Sequence, residues 1–272
     1  MKIINSPDNK TIKLVSSLKE TRARKKNGLF LVDGLREIEL ALKSSYKPKF
    51  LFFCQEIIKK NTEKNKETLN NFLNKNLEII NVSKNVFSKI AYKESPDGFL
   101  AVFEGRGSGL EEIILDKNNL PIIVLEGLEK PGNLGAIIRT ASAGGLKNII
   151  LNDCLFDIFN PNVIKASEGL VFFINIIRVT KEETYLFLKK NKLKTFIAVT
   201  SAKKSYDEFD FSKNSAIILG SEANGLSNFW LKKADEELKI PMRAGVDSLN
   251  VSVSAGILIY EALRKNNFNG LK

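Results

Sequence analysis

The feature of the sequence that most restricts the fold is a regular alternation of short buried strands and helices, beginning at residue 121. Apolar runs of strand length are separated by segments with helical spacing of their apolar residues. Strands joined in this way predict a mostly parallel α/β sheet, with ligands at the carboxyl ends of its strands. The strands are predicted at residues 121–128, 148–152, 173–179, 195–200, 216–220 and 238–240, and the helices at 133–143, 160–166, 181–190 and from 250 onward.

A smaller pattern of the same kind precedes this one and predicts a separate N-terminal α/β domain. The segment GRGSG at residues 105–109 is the best linker candidate, because glycine and serine favour a flexible chain. We therefore predict an N-terminal domain at 1–104, a linker at 105–119 and a C-terminal domain at 120–272. The N-terminal strands are predicted at 29–32, 50–54, 78–82 and 99–103, and the helices at 9–20, 35–43, 59–76 and 84–91.

The composition limits the chemistry that is open to the chain. It has 272 residues and no histidine, which excludes Ser-His-Asp and Cys-His catalysis and every histidine metal site. Cys54 and Cys154 lie far apart beside apolar residues, so buried free thiols in a reducing cytoplasm are expected, and no metal site. No apolar run reaches the roughly 18 residues that span a bilayer, and no secretory signal begins the sequence. We expect a cytoplasmic protein.

The net charge of +11 indicates a polyanionic partner, and the excess is greater in the N-terminal part. The densest basic run immediately precedes the predicted strand at 29–32, so it is attached to a folded unit. A lysine-rich overall composition would also explain much of the charge. The candidate nucleic-acid-binding residues in this run are Lys19, Arg22, Arg24, Lys25 and Lys26.

Residues 238–265 combine a short strand, a polar loop and a long apolar helix. Pro241 ends the strand, and Gly245 makes the loop at 242–248 flexible. The helix is predicted to begin near Asn250, although the preceding residues also alternate like a strand. A polar loop that opens a buried helix can turn backbone N–H groups toward a ligand, but this stretch alone is more often an ordinary core helix.

Two earlier stretches, at 125–145 and 216–227, change the interpretation of residues 238–265. In order and separation, the three segments resemble the signature motifs of the SpoU-type (TrmH-like) RNA 2′-O-ribose methyltransferases, S-adenosylmethionine-dependent enzymes of the knotted α/β class. The matching residues are Asn133, Gly135 and Arg139 in the first segment, Gly220, Ser221, Glu222 and Gly225 in the second, and Ile240, Pro241, Ser248, Leu249 and Asn250 in the third.

This resemblance implies S-adenosylmethionine as cofactor, RNA as substrate, a homodimer and a trefoil knot near the C-terminus. It also implies that the N-terminal domain is a substrate-binding domain similar to a ribosomal-protein RNA-binding fold. Many family members have glycine after the glutamate of the second motif, where this chain has Ala223. The implied catalytic residues are Asn133, Arg139, Glu222, Ser248 and Asn250, and the implied cofactor-binding residues are Thr200, Gly220, Ile240, Met242 and Leu249.

Arg139 is the candidate to lie against the ribose and its phosphate, because no histidine can share the task. It sits two turns into an otherwise apolar helix, where a buried guanidinium needs an anionic or carbonyl partner. A buried salt bridge is the structural alternative. Since a guanidinium stays protonated, orientation and electrostatic stabilisation fit it better than proton removal.

The preferred function is methylation of a ribose 2′-hydroxyl in 23S-type rRNA. A tRNA substrate is an alternative, as is a non-catalytic RNA-binding or ribosome-assembly factor on the same fold. A Rossmann-type nucleotide enzyme is disfavoured, because PGNLG at 131–135 follows a strand without forming the GxGxxG fingerprint.

Overall fold

The computed structural model describes residues 2–58, 72, 77–113, 115, 119–211, 214–269 and 271. The helix predicted at 59–76 lies, except for Phe72, outside the described residues. The chain forms two compact units. The first contains the residues up to Arg106 together with Phe159–Phe172, and the second contains the others.

The first unit is built on a five-stranded mixed sheet in the order β1-β4-β3-β5-β2. Strands β1, β4 and β3 are parallel, whereas β5 runs antiparallel to both β3 and β2. Helices α1 and α4 pack on it through a core that includes Ile12, Val15 and Phe87. The elements are β1 Lys2–Ile4, α1 Lys10–Ser17, α2 Thr21–Asn27, β2 Leu29–Asp33, α3 Leu35–Lys43, β3 Pro48–Phe53, β4 Glu78–Val82, α4 Lys84–Ile90 and β5 Phe99–Glu104.

The second unit is built on a six-stranded sheet in the order β11-β9-β10-β6-β7-β8, and every neighbouring pair is parallel. The predicted parallel α/β fold is therefore confirmed. Strands β6, β7 and β10 are buried along their whole length, which explains their continuous apolar runs. The strands are β6 Ile122–Glu126, β7 Asn148–Asn152, β8 Asn175–Arg178, β9 Lys194–Ala198, β10 Ser215–Leu219 and β11 Glu236–Leu238.

Capping residues set the helix boundaries that the sequence predicted. The side chain of Asn250 accepts a hydrogen bond from the N–H of Ser252, which resolves the strand-or-helix conflict before α9 in favour of a helix. Thr180 and Glu183 form a capping box at the start of α7. The remaining helices are α5 Pro131–Ala143, α6 Pro161–Ala166, α7 Lys181–Lys190, α8 Asn228–Lys233 and α9 Val251–Lys265.

Helix α8 was not predicted, because its six residues are too short to show a clear periodicity. Its first turn is held by the buried carboxylate of Glu126. One carboxylate oxygen of Glu126 accepts a hydrogen bond from the N–H of Ser227, and the other accepts one from the Ser227 hydroxyl, each at 2.7 Å. Trp230 then anchors the helix in the core.

The segment Phe159–Phe172 packs in the first unit through aromatic contacts. The ring of Phe159 stacks on that of Phe30 with a centroid distance of 4.2 Å, and Phe172 lies 6.0 Å from the same ring. Both cysteines are buried free thiols, as predicted, and burial raises the pKa of Cys154 to about 11. Among the described residues, no helix has the length and apolar character to cross a membrane.

Candidate active site

A cavity of about 390 Å³ opens at the carboxyl ends of β9, β10 and β11. Because these strands are parallel neighbours in one sheet, the loops that follow them meet at one edge. The cavity is lined by residues after all three strands and by the start of α9: Ala198, Val199, Thr200, Ser201, Leu219, Gly220, Ser221, Glu222, Asn224, Gly225, Leu226, Leu231, Ile240, Met242, Asp247, Ser248, Leu249, Val251 and Ser254.

All of the residues predicted to bind the cofactor line this cavity. The catalytic candidates Glu222 and Ser248 line it too. Its wall combines apolar side chains with the carboxylates of Glu222 and Asp247, and none of the lining residues is cationic. Such a wall suits a ligand that is partly apolar and positively charged. The predicted cofactor residues in the lining are Thr200, Gly220, Ile240, Met242 and Leu249.

Asp247 is a lining residue that the sequence analysis did not assign to the site. Its position between Gly245 and Ser248 suggested only a turn. The available signal was its place inside the third motif, beside residues already assigned to the cofactor. Its carboxylate adds a second negative charge to the cavity wall.

Glycine is required at position 220 by a close approach of the backbone. A Cβ atom there would lie 2.2 Å from the carbonyl carbon of Gly225 and 2.5 Å from the nitrogen of Leu226. The turn is closed by the N–H of Gly225, which donates to the carbonyl of Ser221 at 3.0 Å. Gly225 adopts a left-handed φ of 64°, whereas the φ of Ala223 is not positive. Alanine at position 223 is therefore not strained.

Beside the cavity, one residue from each motif forms a hydrogen-bonded group that we call the amide–carboxylate cluster: Asn133, Glu222 and Asn250. The Nδ2 of Asn250 donates to Oε1 of Glu222 at 3.2 Å and to Oδ1 of Asn133 at 3.3 Å. The Nδ2 of Asn133 also donates to Oε1 of Glu222. The carboxylate therefore fixes the orientation of both amides.

Arg139 lies outside the cavity lining, and its side chain is exposed. The expectation that it is buried is wrong, and with it the alternative of a buried salt bridge. The apolar neighbours that suggested burial project from the opposite side of α5. The buried residues of that helix are Leu134, Gly135, Ile137, Ile138 and Ala141.

The basic run of the first unit divides into inward and outward residues. Arg24 is only 4% exposed, and its Nη1 donates to the carbonyls of Leu18 and Lys19 at 2.8 and 2.7 Å. Its assignment as an RNA contact is therefore corrected to a structural role, since the guanidinium satisfies the end of α1. Lys19 donates to the carbonyl of Lys89, and burial lowers its pKa. The exposed members are Arg22, Lys25 and Lys26.

The fold and site together define a parallel α/β domain with a ligand cavity at the carboxyl edge and a polar cluster beside it. A model of the SpoU rRNA Methylase family matches residues 121–260, and one of the MRM3-like substrate binding domain matches residues 9–101. The first match covers more than half of the chain. The chain belongs to the SpoU rRNA methylase family, as the three motifs predicted.

Individual relatives match almost the whole length. The 23S rRNA (guanosine(2553)-2′-O)-methyltransferase RlmP of Bacillus subtilis is 29% identical over 260 residues, covering 96% of this chain and 98% of its own. A crystal structure of an RNA 2′-O ribose methyltransferase is 32% identical with a TM-score of 0.83, covering 97% of this chain and 99% of its own. A crystal structure of an AdoMet-bound rRNA methyltransferase from Sinorhizobium meliloti is 27% identical with a TM-score of 0.86, covering 97% of both chains.

Proposed function

We propose that this protein transfers a methyl group from S-adenosylmethionine to a ribose 2′-hydroxyl in 23S-type rRNA. The observation that carries the proposal is the amide–carboxylate cluster, which joins the three family motifs beside a cavity of cofactor size. The rRNA named for the Bacillus subtilis relative supports rRNA over tRNA as the substrate.

The cavity fits S-adenosylmethionine in size and charge. Its volume of about 390 Å³ lies within the range of roughly 300–1,000 Å³ that is usual for small-molecule sites. When bound, the cofactor supplies an electrophilic methyl group on a positively charged sulfur. Glu222 and Asp247 would provide the opposite charge, and Gly220, Ile240 and Leu249 would provide main-chain and apolar contacts.

The protein's own residues then act mainly by positioning. The attacking ribose oxygen must be held in line with the methyl group, its proton must pass to water, and the neutral thioether must leave as the carbon–sulfur bond breaks. Well-oriented groups lower such barriers strongly. Asn133 and Asn250, fixed by Glu222, would hold the sugar. Arg139 would lie against the ribose and the adjoining phosphate as an orienting cation.

The N-terminal domain at 1–104 is proposed to recruit the RNA, with the domain at 120–272 carrying the chemistry and 105–119 joining them. Arg22, Lys25 and Lys26 give α2 an exposed cationic surface for phosphates. We further propose a cytoplasmic location, and a knotted C-terminal region as implied by the family.

We also propose that the protein is a homodimer formed through α5 and α9, which pack together. On α9, Val253 is 50% exposed and Tyr260 is 46% exposed. On α5, Arg139 is exposed and Ala136 is partly exposed. An apolar face of this kind is typical of an interface that two identical copies cover mutually. Pairing through it would bring Arg139 into a partly enclosed setting.

The decisive test uses the purified protein, S-adenosylmethionine with a radioactive methyl group, and unmodified 23S rRNA transcribed in vitro. We expect label in dinucleotides that resist alkaline hydrolysis, because a methylated 2′-oxygen cannot attack the adjacent phosphate. Label in a base, or no incorporation, would contradict the proposal. Mapping 2′-O-methyl marks in cells with and without the gene would then identify the nucleotide.

The non-catalytic alternative is separated by calorimetry. A ribosome-assembly factor on this fold would bind rRNA without binding S-adenosylmethionine. Saturable cofactor binding that Gly220→Ala abolishes is the result we expect, because the added Cβ would displace the turn at Gly225.

A further inference from the structure

Three distant segments meet at one end of the sheet of the first unit. The N–H of Gly105 donates to the carbonyl of Gly28 at 2.8 Å, and the N–H of Glu104 donates to the carbonyl of Lys47 at 2.9 Å. The end of β5 therefore lies between the end of α2 and the start of β3, about one strand spacing of roughly 4.8 Å from each.

Each of these segments carries exposed cations. Lys25 and Lys26 end α2, Lys47 precedes β3, and Arg106 follows β5. Within the described part of the chain, none of the four forms an ion pair. Other cations of the same unit do form them: Lys2 with Glu78, Lys13 with Asp8, Arg36 with Glu168 and Lys93 with Glu37.

Arg106 is also held in place by an aromatic side chain. Its guanidinium carbon lies 5.7 Å from the ring centroid of Tyr46. That ring makes edge contacts with Phe30 and Phe159 at centroid distances of 5.6 and 5.5 Å. A guanidinium that rests on a fixed ring loses less freedom on binding, and its planar donors suit phosphate oxygens.

We propose that Lys47 and Arg106 bind backbone phosphates of the substrate RNA, extending the cationic surface of α2 across the end of the sheet. This basic sheet end is defined by Lys25, Lys26, Lys47 and Arg106. This inference rests on the proposed function. It assigns a role to Arg106, which lies in the segment predicted to be only a linker. We choose RNA as the ligand because its phosphates form a continuous row. The cations of the basic sheet end, which form no ion pair within the described residues, lie on adjacent segments that such a row can follow.

The test compares two double variants of the full chain. Lys47→Gln with Arg106→Gln removes two unpaired cations of the basic sheet end. Lys2→Gln with Lys13→Gln removes the same charge from the same unit, but at exposed lysines that are already paired. Binding of unmodified 23S rRNA transcribed in vitro is measured over a series of salt concentrations.

We expect the first variant to bind more weakly and to flatten the slope of log K against log salt by about 0.7–0.9 for each lost phosphate contact. The KM for RNA should rise while kcat at saturating RNA and cofactor affinity stay at the wild-type values. The Lys2/Lys13 variant should keep the wild-type slope.

Equal salt slopes for the two variants would overturn the inference. A loss of methylation that appears only in kcat, with KM for RNA unchanged, would overturn it too. If the wild-type protein methylates RNA and the slopes are equal, the basic sheet end alone is wrong. If the wild-type protein neither binds nor methylates RNA, the proposed function fails, and this inference fails with it.

Discussion

The two polar atoms of the Asn250 side chain have different hydrogen-bonding roles. The Oδ1 accepts from the N–H and the hydroxyl of Ser252, at 2.9 and 2.6 Å, and thereby starts α9. This leaves Nδ2 to donate toward Glu222 and Asn133. A cap residue of ordinary type thus becomes part of the amide–carboxylate cluster, which the sequence alone could not separate from a simple cap.

Replacing Arg139 with alanine should reduce methyl transfer by about two to three orders of magnitude, the usual cost of removing an electrostatic stabiliser. Melting temperature and cofactor affinity should hardly change, because the side chain is exposed and lies outside the cavity lining. Thermal melting, cofactor titration and a single-turnover methylation assay check the three expectations. Lys190→Ala, which removes an exposed cation from α7, is the control.

A variant at Arg139 that melts several degrees lower but keeps its activity per folded molecule would contradict the orienting role. It would point instead to a structural contact of the guanidinium. The burial of this residue was mispredicted because neighbours in the sequence of a helix lie on different sides of it. The apolar residues beside Arg139 therefore said little about its own exposure.

At the scale of elements, α2 shows how one helix can serve both the core and the surface. Gly28 ends it in the left-handed conformation, with φ of 61°, and donates to the carbonyl of Arg24 at 2.9 Å. Arg24 points inward and donates to the carbonyls of Leu18 and Lys19, just after the end of α1. Arg22, Lys25 and Lys26 of the same helix are exposed to solvent.

The triple variant Arg22→Gln, Lys25→Gln and Lys26→Gln should weaken RNA binding and flatten its salt dependence. Its melting temperature should stay near that of the wild type. Arg24→Gln should do the reverse: the loss of its bonds to Leu18 and Lys19 should lower stability by roughly 1–3 kcal/mol while the salt slope stays unchanged. Thermal melts and salt titrations on both variants decide the assignment, and wild-type binding by the triple variant would refute it.

Most elements were predictable from the sequence because strong local signals mark them. The apolar runs of β6, β7 and β10, and the cap residues of α7 and α9, fix these segments almost by themselves. Helix α2 was missed because its single inward residue is an arginine, so it has no apolar periodicity. Strand β1 was missed because three residues are too few to show a pattern.

At the scale of the whole molecule, the exposed face of α5 and α9 leads to a prediction about assembly. Val253→Glu should convert a dimer into a monomer, because moving a carboxylate from water into an interface carries a large desolvation cost. Methylation should fall with it. Leu186→Glu is the matched control, since Leu186 on α7 is 66% exposed. Analytical ultracentrifugation of both variants measures the result, and a Val253→Glu protein that remains dimeric would exclude this face.

The placement of Phe159–Phe172 in the first unit could not be predicted from the sequence. Its helix α6 was expected from the Asn-Pro start, and Asn160 does cap it. Which unit the helix packs in depends on stacking between Phe159 and Phe30, residues that are remote in the chain. By contrast, the gathering of the three motifs at one sheet edge followed from parallel topology alone.

The cavity takes its walls from the ends of β9, β10 and β11, and the last wall comes from residues 240–254. Strand β11 lies at the edge of the sheet and pairs with β9, so it can be added without displacing another strand. During synthesis, a chain that has already folded β9 and β10 therefore still lacks the floor of its ligand site. Cofactor binding therefore becomes possible only after residues 240–254 have been synthesised, and a premature stop before residue 240 would remove both this part of the cavity wall and the buried helix α9.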